Sequence, residues 1–149
     1  MKIENKEMLL YSMNKAYDEL YKVVDDTKAE EKDVYFRLGS CLHWIVDCLD
    51  RIKEILKPSD KKLFLALSAA NNALKHVKEF ESAEQETGYG YPRRYPHYYG
   101  KKYLWKNLDD VPLKSVYEKR LYQEVLCGNI IINALKEARD MIDSYYREV

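Results

Sequence analysis

Four polar residues interrupt an otherwise amphipathic stretch at positions 69–80, AANNALKHVKEF: Asn71, Asn72, Lys75 and His76. Imidazole titrates near neutral pH, so His76 is suited to taking up and returning a proton. General acid/base work needs a second polar group to hold the reacting hydroxyl or phosphate. Asn72 precedes His76 by four residues, one turn of a helix. Two uses of these residues compete. In one, His76 transfers protons and Asn72 orients it; in the other, His76 is hydrogen-bonded at a partly buried helix surface.

Two further groupings could carry chemistry. RLGSCLH places Arg37 and His43 six positions apart, an arginine and a histidine on one predicted helix. RRYPHYYGKKY interleaves Arg93, Arg94, Lys101 and Lys102 with Tyr95, Tyr98, Tyr99 and Tyr103. Aromatic rings stack on unpaired bases and cations between them hold phosphates, so single-stranded RNA is a candidate ligand. The competing use is structural, with the tyrosines packed on the domain and the cations solvated. His97 lies between Pro96 and Tyr98 and reads as a loop residue.

The elements that position these residues are helical. An apolar stripe over 4–28 runs through Met8, Leu9, Met13, Ala16, Leu20, Val23 and Val24. A second helix over 31–57 repeats Tyr35, Leu38, Leu42, Ile45, Leu49, Ile52 and Leu56 at steps of three and four, the spacing of helices packed nearly antiparallel. Pro58 ends it, and Ser59 or Asp60 is the expected cap of a third helix over 60–84. That helix buries Leu63, Leu67, Ala70, Leu74 and Val77, leaving Leu65, Ala69, Asn72 and His76 on the opposite face.

Residues 88–112 break the pattern with three glycines, three prolines and six tyrosines. They are expected to form an irregular excursion with short extended pieces. A last helix over 113–147 carries Val116, Leu121, Val125, Ile131, Ile132, Leu135, Ala138 and Ile142, with Gly128 at a kink or close crossing. The fold expected is a single all-α domain over 1–149, a four-helix up-down bundle with the excursion between helices 3 and 4.

Bulk composition narrows the function classes. The 149 residues include 25 basic and 25 acidic side chains, so no global field draws the chain to nucleic acid or an acidic membrane. No apolar run approaches the ~20 residues of a membrane span. Three cysteines, Cys41, Cys48 and Cys127, at these spacings suit reduced thiols and not a zinc site, and the expected location is cytoplasmic. Neither a metal nor another cofactor is called for, since the sequence has no Gly-rich phosphate loop and no Ser/Cys–His arrangement.

NNALKH resembles the Arg-Asn-x-x-x-His motif of the HEPN superfamily, a set of small all-α bundles. Asn72 falls on the motif's asparagine and His76 on its histidine, while Asn71 stands where the family has arginine. GYGYPRRYP and the later Trp105 are similar to the Gly-aromatic-Pro elements that follow the motif helix in bacterial members. The resemblance implies a homodimer with the two motif helices facing across a two-fold axis. In active members paired arginines and histidines form a metal-independent RNA-cleaving site. Asparagine at position 71 has a dipole but no charge to stabilise a phosphate, and Lys75 supplies only a point charge without the bidentate fork.

Three functions therefore stay open. The first is a non-catalytic or weakly active HEPN-like module, homodimeric, binding RNA, a nucleotide or a partner protein such as an antitoxin. Asn71, Lys75, Arg93, Arg94, Lys101 and Lys102 would be its RNA or phosphate contacts. The second is a metal-independent endoribonuclease of the toxin–antitoxin or phage-defence type, with His76 and Asn72 as its catalytic pair. The third is a helical interaction domain unrelated to HEPN.

Overall fold

The structure is a computed structural model that describes residues 2–84, 101–109, 113 and 115–149. Among them are five α-helices, α1 (Lys6–Asp25), α2 (Glu31–Asp50), α3 (Pro58–Ala73), α4 (Val116–Val125) and α5 (Ile131–Tyr146), with two strands, β1 (Phe80–Glu84) and β2 (Lys101–Trp105). The chain is mostly helical, as its periodicity requires, but it is not purely α.

Period 3.6 explains the first two helices. Leu9, Met13, Ala16, Tyr17 and Leu20 form the buried stripe of α1, and Val34, Leu38, Cys41, Leu42, Ile45, Cys48 and Leu49 that of α2. The stripe of α2 starts at Val34, whereas Tyr35, assigned to the core from sequence, keeps over a third of its surface exposed. The α2 helix ends at Asp50, and a 3₁₀ turn over Lys53–Ile55 leads on to Pro58. Pro58 then opens α3 as its first residue, where a missing N–H costs nothing, and neither Ser59 nor Asp60 caps it. Asp60 is used otherwise, accepting the Tyr145 hydroxyl at 2.6 Å and so tying α3 to α5.

α5 closes on α1 and α2 with Ile131, Leu135, Ala138, Ile142 and Tyr146. The Arg139 guanidinium lies over the Tyr17 ring at 4.2 Å, and Lys6 Nζ donates to the Tyr146 and Val149 carbonyls at 3.1 and 2.8 Å. The latter bonds place a cation on orphan carbonyls at the helix C-terminus.

Besides the second helix, expected over 31–57 and ending at Asp50, two more expected helices are corrected. The third does not reach residue 84: it ends at Ala73, and 80–84 form β1. Phe80 and Trp105 are both fully buried and face each other in register, so pairing with β2 buries more ring surface than one further helical turn would. The fourth helix, expected over 113–147, is two helices broken at Gly128, whose φ of +82° suits glycine alone. That turn has a purpose. It carries 128–130 alongside the second edge of β2, where Gly128 N–H donates to the Trp105 carbonyl and Trp105 N–H to the Asn129 carbonyl, each at 2.9 Å. An isolated bridge between Leu104 and Ile130 extends this pairing. α4 itself starts as sequence rules would have it, with Ser115 accepting from Glu118 N–H at 3.1 Å. Most of the 88–112 excursion lies outside the described residues, apart from 101–109, of which 101–105 are the extended piece β2.

Candidate functional site

NNALKH sits where α3 unwinds. Val77 N–H still reaches the Ala73 carbonyl at 3.0 Å, but His76 N–H bonds the same carbonyl at 2.9 Å and Lys75 N–H bonds Asn72 at 3.4 Å. The motif is therefore the last turn of α3 and the tightened turn after it, not a mid-helix face.

Contacts from α2 fix this turn. Leu74 packs onto Gly39: a Cβ at position 39 would come within 2.8 Å of Leu74 Cδ2. Glycine inside a helix carries a propensity cost, and here it permits this close approach. The Tyr35 hydroxyl donates to the Leu74 carbonyl at 2.6 Å. Lys78 Nζ pairs with Glu31 at 2.8 Å, and Ser82 Oγ reaches the same carboxylate at 3.5 Å. One helix, α2, thus holds the turn through the Leu74 side chain and carbonyl and through Lys78, without using Asn72, Lys75 or His76.

Asn72, Lys75 and His76 are all exposed, and none of their side chains hydrogen-bonds to another described residue. Asn71 is half-buried. The opposite face expected to be open is only partly so, because Ala69 is fully buried in the bundle and Leu65 half-buried. Lys101 and Lys102 begin β2 opposite Glu84 and Ala83. That end of the hairpin lies four residues along β1 from Phe80, roughly 13 Å at 3.3 Å per residue. The structure therefore brings Asn72, Lys75 and His76 together and leaves Lys101 and Lys102 further along. Arg93 and Arg94 lie outside the described residues.

The Arg37–His43 pair is not assembled. A separation of six residues turns ~240° around a helix axis, so the two side chains diverge. Arg37 pairs with Glu19 of α1 at 2.5 Å, and His43 is exposed with its ring edge-on to Trp44 at 5.0 Å between centroids. Both have structural partners.

The cysteines are no more reactive. Cys41 and Cys48 are buried free thiols, and burial pushes them up to about 12 and about 11, so neither is a thiolate near neutral pH. A shallow cleft lined by Lys57, Asp60, Met141, Ser144, Tyr145 and Glu148 lies at the far end of α3. That is about 24 Å of helix away from the motif, and its two carboxylates make it a poor anion site. Among the described residues no group of three or more His, Cys, Asp or Glu side chains could hold a metal. None of their helices is long and apolar enough to cross a membrane.

Sequence reasoning missed Glu79, a fully buried carboxyl between the motif and β1. Its position between Lys78 and Phe80 gave no signal, because a charged residue after a basic one reads as solvated. With the geometry in place, no protein-family model, no curated protein and no solved structure matches this chain.

The turn presents an imidazole, an ammonium and a carboxamide to solvent, with hydrogen-bonding capacity unspent. It can bind an anion or the edge of a base. It holds no arginine, and among the described residues no carboxylate hydrogen-bonds the imidazole to set its tautomer.

Proposed function

We propose that the chain is a HEPN-like helical module, non-catalytic or weakly active, which works as a homodimer and binds single-stranded RNA. In this reading α1, α2 and α3 are three rods of the up-down four-helix plan, and α4 with α5 stands for the fourth. The observation that carries it is the exposure of Asn72, Lys75 and His76 on one turn held by α2, their side chains without hydrogen-bond partners among the described residues. Lys75 meets a phosphate, while Asn72 and His76 contact a base edge or the ribose hydroxyl. The hairpin that follows the turn leads into the Arg93–Lys102 segment, whose tyrosines offer stacking surfaces. Asn71 in the arginine position weighs against catalysis, because no charge there opposes the developing phosphate charge.

Binding of a fluorescently labelled single-stranded oligonucleotide at two salt concentrations tests this. Affinity should fall as salt rises, and Lys75→Ala should lower the salt slope by about 0.7, one phosphate contact on a single strand. An unchanged slope would remove Lys75 from the interface.

One observation favours a second reading, the metal-independent endoribonuclease. His76 is open to solvent and not sealed under tyrosine or tryptophan, as a proton-transfer residue requires. Cleavage in EDTA by the wild type and not by His76→Ala would establish that activity.

A further inference from the structure

The β1–β2 hairpin is seated on the bundle through one junction, and Glu79 is at its centre. The Glu79 carbonyl accepts Lys106 N–H at 2.8 Å and lies 3.4 Å from the Tyr122 hydroxyl of α4. That hydroxyl donates in turn to the Lys106 carbonyl at 2.5 Å. On the far edge of β2, Trp105 bonds Gly128 and Asn129. Four segments therefore meet here: the chain entering β1, the chain leaving β2, α4, and the turn after it.

The Glu79 side chain is 0% exposed, and neither carboxyl oxygen has a hydrogen-bond partner. The Trp105 indole N–H, buried in the same junction, is likewise unpartnered. An ionised carboxylate in such a place would forfeit its hydration with nothing in return, so the group stays neutral while the junction is closed. The charged and titratable groups around it do not relieve this. Tyr122 from α4 brings no positive charge; burial raises it first, then the nearby Glu79, Cys127 from the following turn and Glu81 from β1. Lys78 is engaged with Glu31, and Lys106 is exposed. Burial alone pushes the Glu79 carboxyl from 4.5 up to about 9.

We propose that Glu79 is a protonation latch: as a neutral acid it lets the hairpin seat on α4, and its ionisation and the unseating of the hairpin are one coupled event. This does not depend on the RNA reading. The open junction hydrates the carboxyl and restores its ordinary acidity, so the opening equilibrium grows tenfold per pH unit between the two values.

Amide hydrogen exchange on the full chain, expressed as protection factors, reads the latch directly. From pH 6 to pH 8, protection at Lys106, Trp105 and Gly128 should fall about a hundredfold, with core amides of α1 and α2 remaining the better protected at each pH. In Glu79→Gln, which has nearly the same shape and no charge to release, protection at those three amides should not vary with pH. A flat wild-type profile, or the same fall in the variant, would overturn the proposal. Should the variant not fold, infrared spectroscopy of the wild type decides. A protonated-carboxyl band that persists at pH 7 and vanishes by pH 10 supports the latch, and its absence at pH 7 refutes it.

Discussion

Removing one hydroxyl from each of two tyrosines tests how the hairpin and the motif turn are held. Tyr122 is fully buried, and its hydroxyl is the donor to the Lys106 carbonyl at 2.5 Å. Tyr35 is 37% exposed, and its hydroxyl bonds the Leu74 carbonyl at 2.6 Å. The two bonds are nearly the same length, so their difference in worth comes from what replaces them. After Tyr35→Phe, water reaches the Leu74 carbonyl, and the loss is the net value of an exposed bond, about 0.5–1 kcal/mol. After Tyr122→Phe, the Lys106 carbonyl loses its donor beneath a buried ring, and the cost is about 1–3 kcal/mol. For a chain of this size each kcal/mol moves Tm by about 2–4 °C. Urea unfolding followed by circular dichroism, with unchanged m-values, measures both. A Tyr35→Phe loss equal to or greater than that of Tyr122→Phe would refute the reasoning.

Other consequences can be checked on the same preparations. Glu79→Gln should remove a pH dependence of global stability. The carboxyl is raised in the folded state, so its contribution is full below 4.5 and is lost as pH climbs towards about 9. Between pH 6 and 8 the wild type should lose about 3 kcal/mol relative to the variant, and parallel profiles would contradict this. Gly39→Ala adds a methyl 2.8 Å from a terminal atom of the half-buried Leu74 but gains about 1 kcal/mol of helix propensity. Its net effect should stay within about 1 kcal/mol, and a loss above ~3 kcal/mol would show that Leu74 cannot move. Native alkylation should modify Cys127 well before Cys41 and Cys48, which are buried and neutral; mass spectrometry showing the reverse order would contradict the burial assignments. In the proposed homodimer Leu65→Glu should weaken self-association, and an unchanged sedimentation profile would contradict a seam at Leu65.

Helical periodicity made most of the bundle legible, because α1, α2 and α5 each bury a single stripe that a step of three and four describes. It failed where tertiary pairing outweighs local pattern. FESAE follows a helix and carries two glutamates, so nothing local marks it as a strand; its partner lies seventeen or more residues away in sequence at 101–105. Gly128 was visible as an irregularity, but its positive φ serves a contact with Trp105 that only the fold supplies. Gly39 was similarly opaque until Leu74 was seen against it. The polar residues of NNALKH were identifiable by type, whereas the end of α3 at Ala73, which makes them a turn, depends on the hairpin beyond.

The central proposal is that the motif turn binds RNA with little or no cleavage. A mixed pool of single-stranded and structured RNA, incubated in EDTA with the wild type or a Lys75→Ala/His76→Ala double variant, tests it when scored for both retention and integrity. The account predicts that the wild type retains intact single-stranded RNA and that the double variant retains at least tenfold less. Equal retention by the two proteins, or cleavage of most of the RNA by the wild type alone, would contradict it.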